Sequence, residues 1–317
     1  MRPAHHGRFA PSPTGPLHLG NAWAALLGWL WARKEGGQFS LRIEDLDAAR
    51  CRPALVDVLR RDLDWLGLTF DGPVVFQSQR GELYQAALDR LTAQGRVYPC
   101  FCTRTEVARA ATAPHGPSDD GPIYPKTCAA LSEEAVAQRS QGRTAALRFR
   151  AGSAPERFVD GVHGPLEQDV EARVGDFVVR RNDGVASYQL AVVVDDADLA
   201  VTHVLRGDDL LDSTPRQRQL ARALGLPPVE YAHVPLLVGP DGKRLAKRTG
   251  PPNLSELREA GLRPEQLLGL LAIWAGLSDG RPVRAAELVE QFSLQKLPRS
   301  AVRLDTDEVV ARLRRLA

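Results

Sequence analysis

The stretch Gly7-Arg-Phe-Ala-Pro-Ser-Pro-Thr-Gly-Pro-Leu-His-Leu-Gly-Asn21 decides the fold, because a short β-prone run is cut off by prolines and leads directly into an apolar segment. That segment ends at Gly36-Gly37, and glycines commonly close a helix. The order predicts a strand, a Gly/Pro turn and a helix. Such a turn presents backbone N–H groups at a helix N-terminus, where the helix dipole favours a bound phosphate.

The same alternation of strands and helices continues downstream of this stretch. Residues 39–47 alternate in polarity like a strand, and residues 54–66 carry leucines and valines at helical spacing. A strand-like run at 74–76 then precedes a helical pattern at 82–94. This β-α-β-α-β-α rhythm predicts an α/β fold with a parallel sheet covered by helices on both faces.

The alternation of predicted strands and helices stops near residue 98 and resumes near residue 188. Between them the chain is rich in Gly, Pro and charge, with strand candidates at 145–150 and 176–180, which predicts an inserted module. The apolar run 188–194 is interpreted as a strand of the resumed sheet. Further elements are predicted as a strand at 201–206, a helix at 214–224 and a helix at 264–277. The predicted domains are 1–97 and 188–236, the two halves of the domain that contains the parallel sheet, 98–187, the inserted module, and 237–317, a loop and helical region.

Composition places the chain among ordinary soluble proteins. Its 317 residues contain 41 Lys and Arg against 39 Asp and Glu, and 44% are apolar, which excludes a disordered chain and permits about two domains. The apolar run at 22–32 is too short to span a bilayer, and no signal-peptide pattern precedes it. We expect a monomeric cytoplasmic protein without membrane contact.

Two segments predict phosphate chemistry. In the first, Gly15 and Gly20 permit close approach to the backbone, and His18 could donate a hydrogen bond to a phosphate oxygen; the alternative is a turn with a capping histidine. In the second, the loop 239–250 is dense in positive charge, and Lys247 could stabilise departing pyrophosphate. The alternative there is a merely solvated loop.

Seven short motifs, considered in their order along the chain, give a more specific indication of function. They are Arg8-Phe-Ala-Pro-Ser-Pro-Thr-Gly15, His18-Leu-Gly-Asn21, Leu41-Arg-Ile-Glu-Asp-Leu-Asp47, Val192-Val-Val-Asp-Asp196, Thr202-His-Val-Leu-Arg-Gly-Asp-Asp209, Ser213-Thr-Pro-Arg-Gln217 and Arg244-Leu-Ala-Lys-Arg248. In these motifs the chain resembles class I aminoacyl-tRNA synthetases of the glutamyl type. The resemblance implies a Rossmann-like sheet, an acceptor-type insertion and a C-terminal helical region that contacts the RNA stem. It also implies activation of L-glutamate by ATP with Mg²⁺.

The resemblance assigns site residues by role. Glutamate binding falls on Arg8, Ala10, Ser12, Glu44, Tyr188 and Arg206; ATP binding on Pro11, Thr14, Gly15, His18, Gly20, Asn21, Arg244, Leu245, Ala246, Lys247 and Arg248; and catalysis on His18 and Lys247. The residue types in the glutamate-binding set suit glutamate, because arginine offers bidentate geometry to a carboxylate and an acid can pair with an ammonium. Ala246 and Arg244 depart from the serine and lysine usual in the second signature, while Lys247 keeps its charge.

Three of the four cysteines indicate a metal site in the inserted module. Cys100, Cys102 and Cys128 would supply three thiolates of a tetrahedral structural zinc site, and on chemistry alone His115 competes with Tyr124 for the fourth place. The resemblance favours Tyr124, since a short subfamily of glutamyl synthetase-like proteins carries Cys-x-Cys followed by Tyr-x-x-x-Cys. The alternative is a set of unliganded buried thiols.

The same subfamily implies the RNA substrate. Its members, the glutamyl-queuosine tRNA(Asp) synthetases, place glutamate on the queuosine base in the anticodon of tRNA(Asp). The sequence ends where a helical anticodon-binding domain would begin in full-length glutamyl enzymes, so we expect no such domain. Two alternatives stay open: a minimal glutamyl-tRNA synthetase that charges a 3′ end, and a catalytically silent RNA-binding relative.

Overall fold

The computed structural model describes residues 4–110, 122–242 and 252–305, together with 309 and 311. The strands are β1 (His6–Phe9), β2 (Gln38–Ile43), β3 (Val75–Phe76), β4 (Val97–Cys100), β5 (Ala146–Phe149), β6 (Glu156–Asp160), β7 (Gly164–Gln168), β8 (Phe177–Arg180), β9 (His203–Gly207), β10 (Glu230–Val234), β11 (Leu237–Val238) and β12 (Val302–Arg303). The helices are α1 (Leu19–Lys34), α2 (Pro53–Trp65), α3 (Gly81–Ala93), α4 (Arg104–Ala110), α5 (Glu133–Ser140), α6 (Val170–Arg173), α7 (Tyr188–Asp198), α8 (Ser213–Ala223), α9 (Leu254–Glu259) and α10 (Pro264–Trp274).

Parallel strands form the centre of the molecule, as the rhythm of the sequence predicts. β1 pairs in parallel with β2, and β2 with β3. β9 pairs in parallel with β10, which also pairs in parallel with β6 through the single register pair of Tyr231 and Asp160. The two sets of strands meet beside β1, where the backbone N–H of Thr202 donates to the oxygen of His6 over 2.9 Å. The predicted α/β class with a parallel sheet is confirmed.

Helix α1 fixes the position of the predicted phosphate turn. It packs against β1, β2 and β9, and its side chains at Trp23, Leu26 and Leu30 are almost completely excluded from solvent. The helix ends before Gly36, whose φ of +62° suits a residue without a Cβ. Because α1 is buried along most of its length, its N-terminus is held rigidly at the carboxyl end of β1.

The segment 188–194 is a helix, and the prediction of a strand is wrong. α7 runs over Tyr188–Asp198, and the Ser187 side chain accepts a hydrogen bond from the Leu190 backbone at its N-terminus. Its valines are buried at consecutive positions, so the run shows neither strand alternation nor a clear helical stripe. A short apolar run of this kind does not distinguish a buried strand from a buried helix.

The strands at 203–207 and the helices at 213–223 and 264–274 confirm the remaining central predictions to within a few residues. A separate antiparallel sheet, β4-β5-β8, lies within the predicted inserted module. The hairpin β6-β7 comes from the same part of the chain and joins the central sheet through β10. The domain boundaries stay a prediction. Within the described ranges, no helix combines the length and hydropathy needed to cross a bilayer.

Candidate active site

One cavity gathers the residues predicted to bind glutamate. It measures about 440 Å³ and lies between the carboxyl end of β1 and the start of α7. Its lining includes all six predicted glutamate-binding residues, namely Arg8, Ala10, Ser12, Glu44, Tyr188 and Arg206, together with Pro11, Thr14, Gly15, His18 and Asn21 from the predicted ATP set. The turn after β1 and the arginines from distant strands therefore face one space.

A network of buried charges holds one wall of this cavity. Arg42 on β2 is fully buried, and its Nη1 lies 2.5 Å from Asp196 Oδ1 while its Nη2 lies 3.2 Å from Glu44 Oε1. Arg8 Nε contacts the same Asp196 oxygen at 3.4 Å. Burial opposes the ionisation of Asp196, but Arg42 and Arg8 hold the pKa of that carboxyl below its usual range.

Glu44 lies at the cavity end of this network. Its carboxyl is largely buried, and burial raises its pKa above the usual glutamate value although Arg42 and Arg8 oppose the rise. A cation that entered the cavity and approached Glu44 would favour the ionised carboxylate. The geometry thus provides an acid whose charge is best stabilised when a positive group is bound.

The neighbouring Asp195 anchors α7 to α3 and to the turn that precedes α3. Its fully buried carboxylate accepts hydrogen bonds from Gln77 Nε2 at 2.7 Å and Arg80 Nε at 2.6 Å. The Tyr84 hydroxyl donates to the same carboxylate at 2.9 Å. Because successive residues of a helix point about 100° apart, Asp195 and Asp196 have different hydrogen-bond partners, although Arg42 Nε also lies 3.7 Å from Asp195 Oδ2.

Arg206 forms the opposite wall of the cavity. Its Nη1 lies 3.4 Å from the hydroxyl of Tyr188, another of the predicted glutamate-binding residues. Its Nε lies 3.0 Å from His233 Nε2, and its Nη2 lies 2.9 Å from Thr214 Oγ1. His233 is in turn 2.7 Å from Asp160 Oδ2. These partners come from β10, α8 and the end of β6.

The predicted phosphate turn is held by local hydrogen bonds. His18 is the N-cap of α1, and its Nδ1 accepts from the Gly20 backbone N–H at 3.1 Å, while Asn21 Oδ1 accepts from the His18 backbone at 3.0 Å. The alternative of a capping histidine is therefore confirmed. Capping does not remove the donor, since a neutral ring whose Nδ1 accepts carries its proton on Nε2.

A second cavity adjoins the first on the side of α1. It measures about 320 Å³, shares His18 and Asn21 with the first, and adds Gly20, Trp23 and the segment 235–237. Trp23 Nε1 donates to the Pro235 oxygen at 3.1 Å, which ties α1 to the chain after β10. The predicted residues Arg244, Leu245, Ala246, Lys247 and Arg248 lie outside the described residues.

The three cysteines of the inserted module cluster, as their spacing predicts, and they lie beside Tyr124, the tyrosine that the resemblance favours. The sulfurs of Cys100, Cys102 and Cys128 lie within 4.8 Å of one another, with Cys102 and Cys128 3.6 Å apart. The Tyr124 hydroxyl lies 3.3 Å from Cys100 Sγ and 3.8 Å from Cys102 Sγ. Tetrahedral zinc with Zn–S bonds of about 2.3 Å needs sulfurs about 3.8 Å apart, so the donor set fits such an ion. His115 lies outside the described residues.

The positively charged side chain of Arg148 lies beside this thiol cluster. Arg148 Nε lies 3.2 Å from Cys100 Sγ, and its guanidinium sits 3.7 Å from the centre of the Tyr124 ring. Burial alone would raise the pKa of the Cys128 thiol, but hydrogen bonds from the Phe101 backbone and Tyr124 hold it below its usual value. Arg148 is placed to balance the excess negative charge that anionic ligands leave around a divalent metal.

Sequence reasoning missed the residues that hold the arginines. Arg42, Asp195 and Asp196 stand inside quoted motifs, yet no role was assigned to them, and a helix at 188–198 would have been needed to see that the two aspartates diverge. Asp160 and His233 were not singled out at all. The sequence carries little signal for them, because β6 contains two other charged residues besides Asp160, and only His233 stands between apolar neighbours in its strand.

Comparisons with known proteins agree with this architecture. The family model "tRNA synthetases class I (E and Q), catalytic domain" matches residues 5–309. A Symbiobacterium thermophilum protein named glutamyl-Q tRNA(Asp) synthetase is 53% identical over 315 residues, covering 96% of this chain and 97% of its own. A Nocardia farcinica protein of the same name is 52% identical over 294 residues, covering 92% of this chain and 91% of its own.

The solved structure of a glutamate tRNA ligase from Elizabethkingia meningosepticum, in complex with its amino acid, is similar in fold. It superposes with a TM-score of 0.82 at 28% identity, covering 96% of this chain and 68% of that one. The residues matched by the family model include the sheet, the cavity and the thiol cluster described above. The chain therefore belongs to the class I tRNA synthetases (E and Q), a family of ligases.

Proposed function

We propose that this protein activates L-glutamate with ATP to form glutamyl-adenylate and then transfers the glutamyl group to RNA. One observation carries the proposal: Arg8, Arg206 and Glu44 face a single cavity whose remaining wall is the capped N-terminus of α1. Two arginines and one acid match the charges of an amino acid with two carboxylates and one ammonium.

Within the cavity, glutamate takes an orientation set by these charges. Arg206 and Arg8 bind the side-chain carboxylate, with Tyr188 beside Arg206, and Glu44 binds the ammonium. The reacting α-carboxylate then points toward the turn at His18. The names of the curated relatives and the glutamate ligase structure that carries its amino acid support this choice of substrate.

ATP occupies the α1 side of the same space. The triphosphate lies along the turn and the helix N-terminus, where His18 donates from Nε2 to the α-phosphate, and the base lies in the adjoining cavity of about 320 Å³. Lys247 is assigned to the leaving pyrophosphate by its motif. Mg²⁺ accompanies the nucleotide as a counter-charge.

The reaction consists of two transfers. A carboxylate oxygen of glutamate attacks the α-phosphorus, the bond between the α- and β-phosphates breaks, and pyrophosphate leaves. An RNA hydroxyl then attacks the activated carbonyl carbon, gives up its proton, and AMP leaves. Both steps depend on positioning and on preorganised charge rather than on a protein nucleophile.

We assign a structural zinc ion to Cys100, Cys102, Tyr124 and Cys128. When bound, the ion supplies a cross-link that a small module cannot obtain from its own apolar core. That core consists of a few buried residues around Tyr98 and Val107, so the donor set carries much of the cohesion of the module.

The proposed acceptor is queuosine in the anticodon of tRNA(Asp). It is supported by relatives named glutamyl-Q tRNA(Asp) synthetase that match nearly the whole chain at about half identity. The second candidate, charging of a tRNA 3′ end, is favoured by the solved glutamate tRNA ligase, of which this chain covers about two thirds.

The test is transfer of radiolabelled glutamate, with ATP, to queuosine-bearing tRNA(Asp). Unmodified tRNA(Asp), tRNA(Glu) and periodate-treated tRNA serve as parallel substrates. We expect label only on the queuosine-bearing tRNA, at the anticodon base. Label at the 3′ end of tRNA(Glu) would instead identify the second candidate, and an absence of both transfer and adenylation would identify a silent relative.

A further inference from the structure

Behind the cavity, Arg206 is fixed by buried side chains from three other segments. His233 and Thr214 are completely buried, and the side chain of Asp160 is also fully excluded from solvent. Thr214 Oγ1 lies 3.1 Å from His233 Nε2 as well as 2.9 Å from Arg206 Nη2, so the three side chains form a closed triangle. A guanidinium held in this way has little freedom to rotate.

The direction of the hydrogen bonds in this triangle follows from Asp160. An ionised carboxylate accepts, so His233 Nδ1 carries a proton and donates to Asp160 Oδ2 at 2.7 Å. The Nε2 lone pair of His233 then faces Arg206 and accepts from its Nε at 3.0 Å. Burial lowers the pKa of His233 to about 4, so the ring is neutral at physiological pH and does not repel Arg206.

Asp160 is itself immobile. Its Oδ1 accepts from the backbone N–H groups of Val162 at 3.0 Å, His163 at 3.0 Å and His233 at 3.2 Å. These bonds fix which oxygen faces the imidazole. The chain from the backbone after β6 to the guanidinium on β9 therefore has a single arrangement of donors and acceptors.

These fixed contacts occupy most of the N–H groups of Arg206. Nε is used by His233, Nη2 by Thr214 and the Leu210 oxygen, and Nη1 by the Tyr188 hydroxyl at a longer 3.4 Å. Since a guanidinium has five N–H groups, these contacts leave one on Nη1, beside Tyr188 at the cavity. That group is a donor on a cation, so it forms a charge-assisted bond with a carboxylate oxygen, makes only a weaker bond to the neutral amide oxygen of glutamine, and cannot accept from the amide nitrogen.

We infer that Asp160 and His233 are positioning residues that aim Nη1 of Arg206 at the side-chain carboxylate of glutamate and so contribute to the rejection of glutamine. The inference rests on the proposed function for the identity of the amino acid. It concerns residues that touch no substrate, because neither Asp160 nor His233 lines the cavity.

Asp160→Asn tests the direction of the hydrogen bonds with almost no change in shape. Because Oδ1 must still accept from three backbone N–H groups, the new amide nitrogen faces His233 Nδ1 and donates to it. His233 then carries its proton on Nε2, where a donor opposes the Arg206 N–H. We expect this variant, and His233→Leu, to weaken L-glutamate binding by about 10- to 100-fold in calorimetry.

Two further variants separate positioning from stability. His233→Gln keeps an acceptor near the Nε2 position, and we expect it to restore glutamate affinity to within about fivefold of the native protein. His5→Leu is the matched control, since His5 is also buried and its pKa is lowered to about 3, but it lies outside the cavity lining. We expect that variant to bind glutamate normally, whatever its stability.

The readouts distinguish this inference from the proposed function. ATP affinity should stay within about twofold in all variants, and the ratio of glutamate to glutamine affinity should fall in Asp160→Asn and His233→Leu. Unchanged glutamate affinity in Asp160→Asn would overturn the inference, as would a native protein that does not bind glutamate. A native protein that binds glutamate but shows no glutamate-dependent pyrophosphate exchange would overturn the adenylation proposal alone.

A measurement on the native protein covers the case in which the variants do not fold. ¹⁵N chemical shifts of His233 should identify Nδ1 as protonated and Nε2 as unprotonated, and added L-glutamate should shift the Nε2 resonance. A proton on Nε2, or no response to glutamate while other cavity resonances shift, would contradict the inference.

Discussion

The two walls of the cavity are built in different ways. The turn at His18 is partly exposed and is held by hydrogen bonds between residues two or three positions apart. The other wall comprises both the Glu44 side and the Arg206 side of the cavity. It is largely buried, and its arginines pair with residues far away in the chain, such as Arg8 with Asp196 at a separation of 188 residues and Arg42 with Asp196 at 154. The turn is therefore held by residues close together in the sequence, whereas the arginine network forms only when distant parts of the chain have folded together.

This contrast predicts different consequences for substitutions in each wall. In the network, removing one charge leaves its partners buried and uncompensated, so stability and activity should be lost together. In the turn, the His18 side chain is proposed to contact the substrate, whereas its capping of α1 can be taken over by another capping residue. Activity should therefore fall while stability is kept.

The largest effect is expected for Arg42→Met. It retains volume but removes the cation that Asp196 and Glu44 share and leaves only Arg8 beside them, so we expect the free energy of unfolding to fall by about 3–5 kcal/mol and adenylation to be abolished. Denaturant titration and pyrophosphate exchange measure the two quantities. Arg50→Met is the matched control, because its ion pair with Asp47 is exposed and screened by solvent and should contribute little to stability. Equal effects of both variants would refute the distinction between the walls.

His18→Ala should lower adenylation by about 10²- to 10³-fold, the usual loss of one transition-state donor. We expect the same range for Lys247→Ala. His18→Asn makes the comparison sharper, since asparagine caps a helix well but lacks the Nε2 donor. It should recover the stability that His18→Ala loses without recovering pyrophosphate exchange. Near-native exchange in His18→Asn would assign His18 to capping alone.

A pH dependence should come from the buried wall. Burial raises the pKa of Glu44, so lowering the pH through that value protonates the acid proposed to bind the ammonium. Glutamate affinity should be full above the raised pKa and fall by up to about tenfold per pH unit below it. Calorimetry from about pH 8 to about pH 5 tests this. In Glu44→Gln the glutamate affinity should be weak at every pH, and a native affinity that does not change with pH would exclude the role.

The thiol cluster belongs to neither wall, so it should have the smallest effect on adenylation. Metal analysis should find about one zinc per chain, and Cys128→Ser should lose it and lower the thermal midpoint while pyrophosphate exchange stays within about twofold. Cys51→Ser is the control, since Cys51 lies apart from the cluster. A metal-free protein of unchanged stability would contradict the zinc assignment.

Sequence reasoning predicted what neighbouring residues determine. The strand, turn and helix around His18 follow from prolines, glycines and an adjacent apolar run, and the thiol cluster follows from short cysteine spacings. It failed at 188–198, where burial on nearly all sides removes the periodicity that would distinguish helix from strand. The resemblance supplied Arg8, Glu44 and Arg206, which no local pattern connects.

The partners of those arginines could not be predicted, for the same reason. Whether Asp160 meets His233 depends on β6 joining the sheet beside β10, and a single register pair determines that contact. No property of either residue in its own segment contains this information. A polar residue between apolar neighbours, such as His233 in β10, is the one available signal, and it indicates that a partner exists without identifying it.

Helix α7 links the two ends of the arginine network, because Tyr188 lies in the cavity at its start and Asp195 and Asp196 hold the sheet near its end. A one-residue insertion or deletion between them would rotate the carboxylates by about 100° relative to the tyrosine and shift them by about 1.5 Å along the axis. The buried valines in between only need to fill space. Their identities can therefore drift during evolution, while the number of residues in this segment cannot.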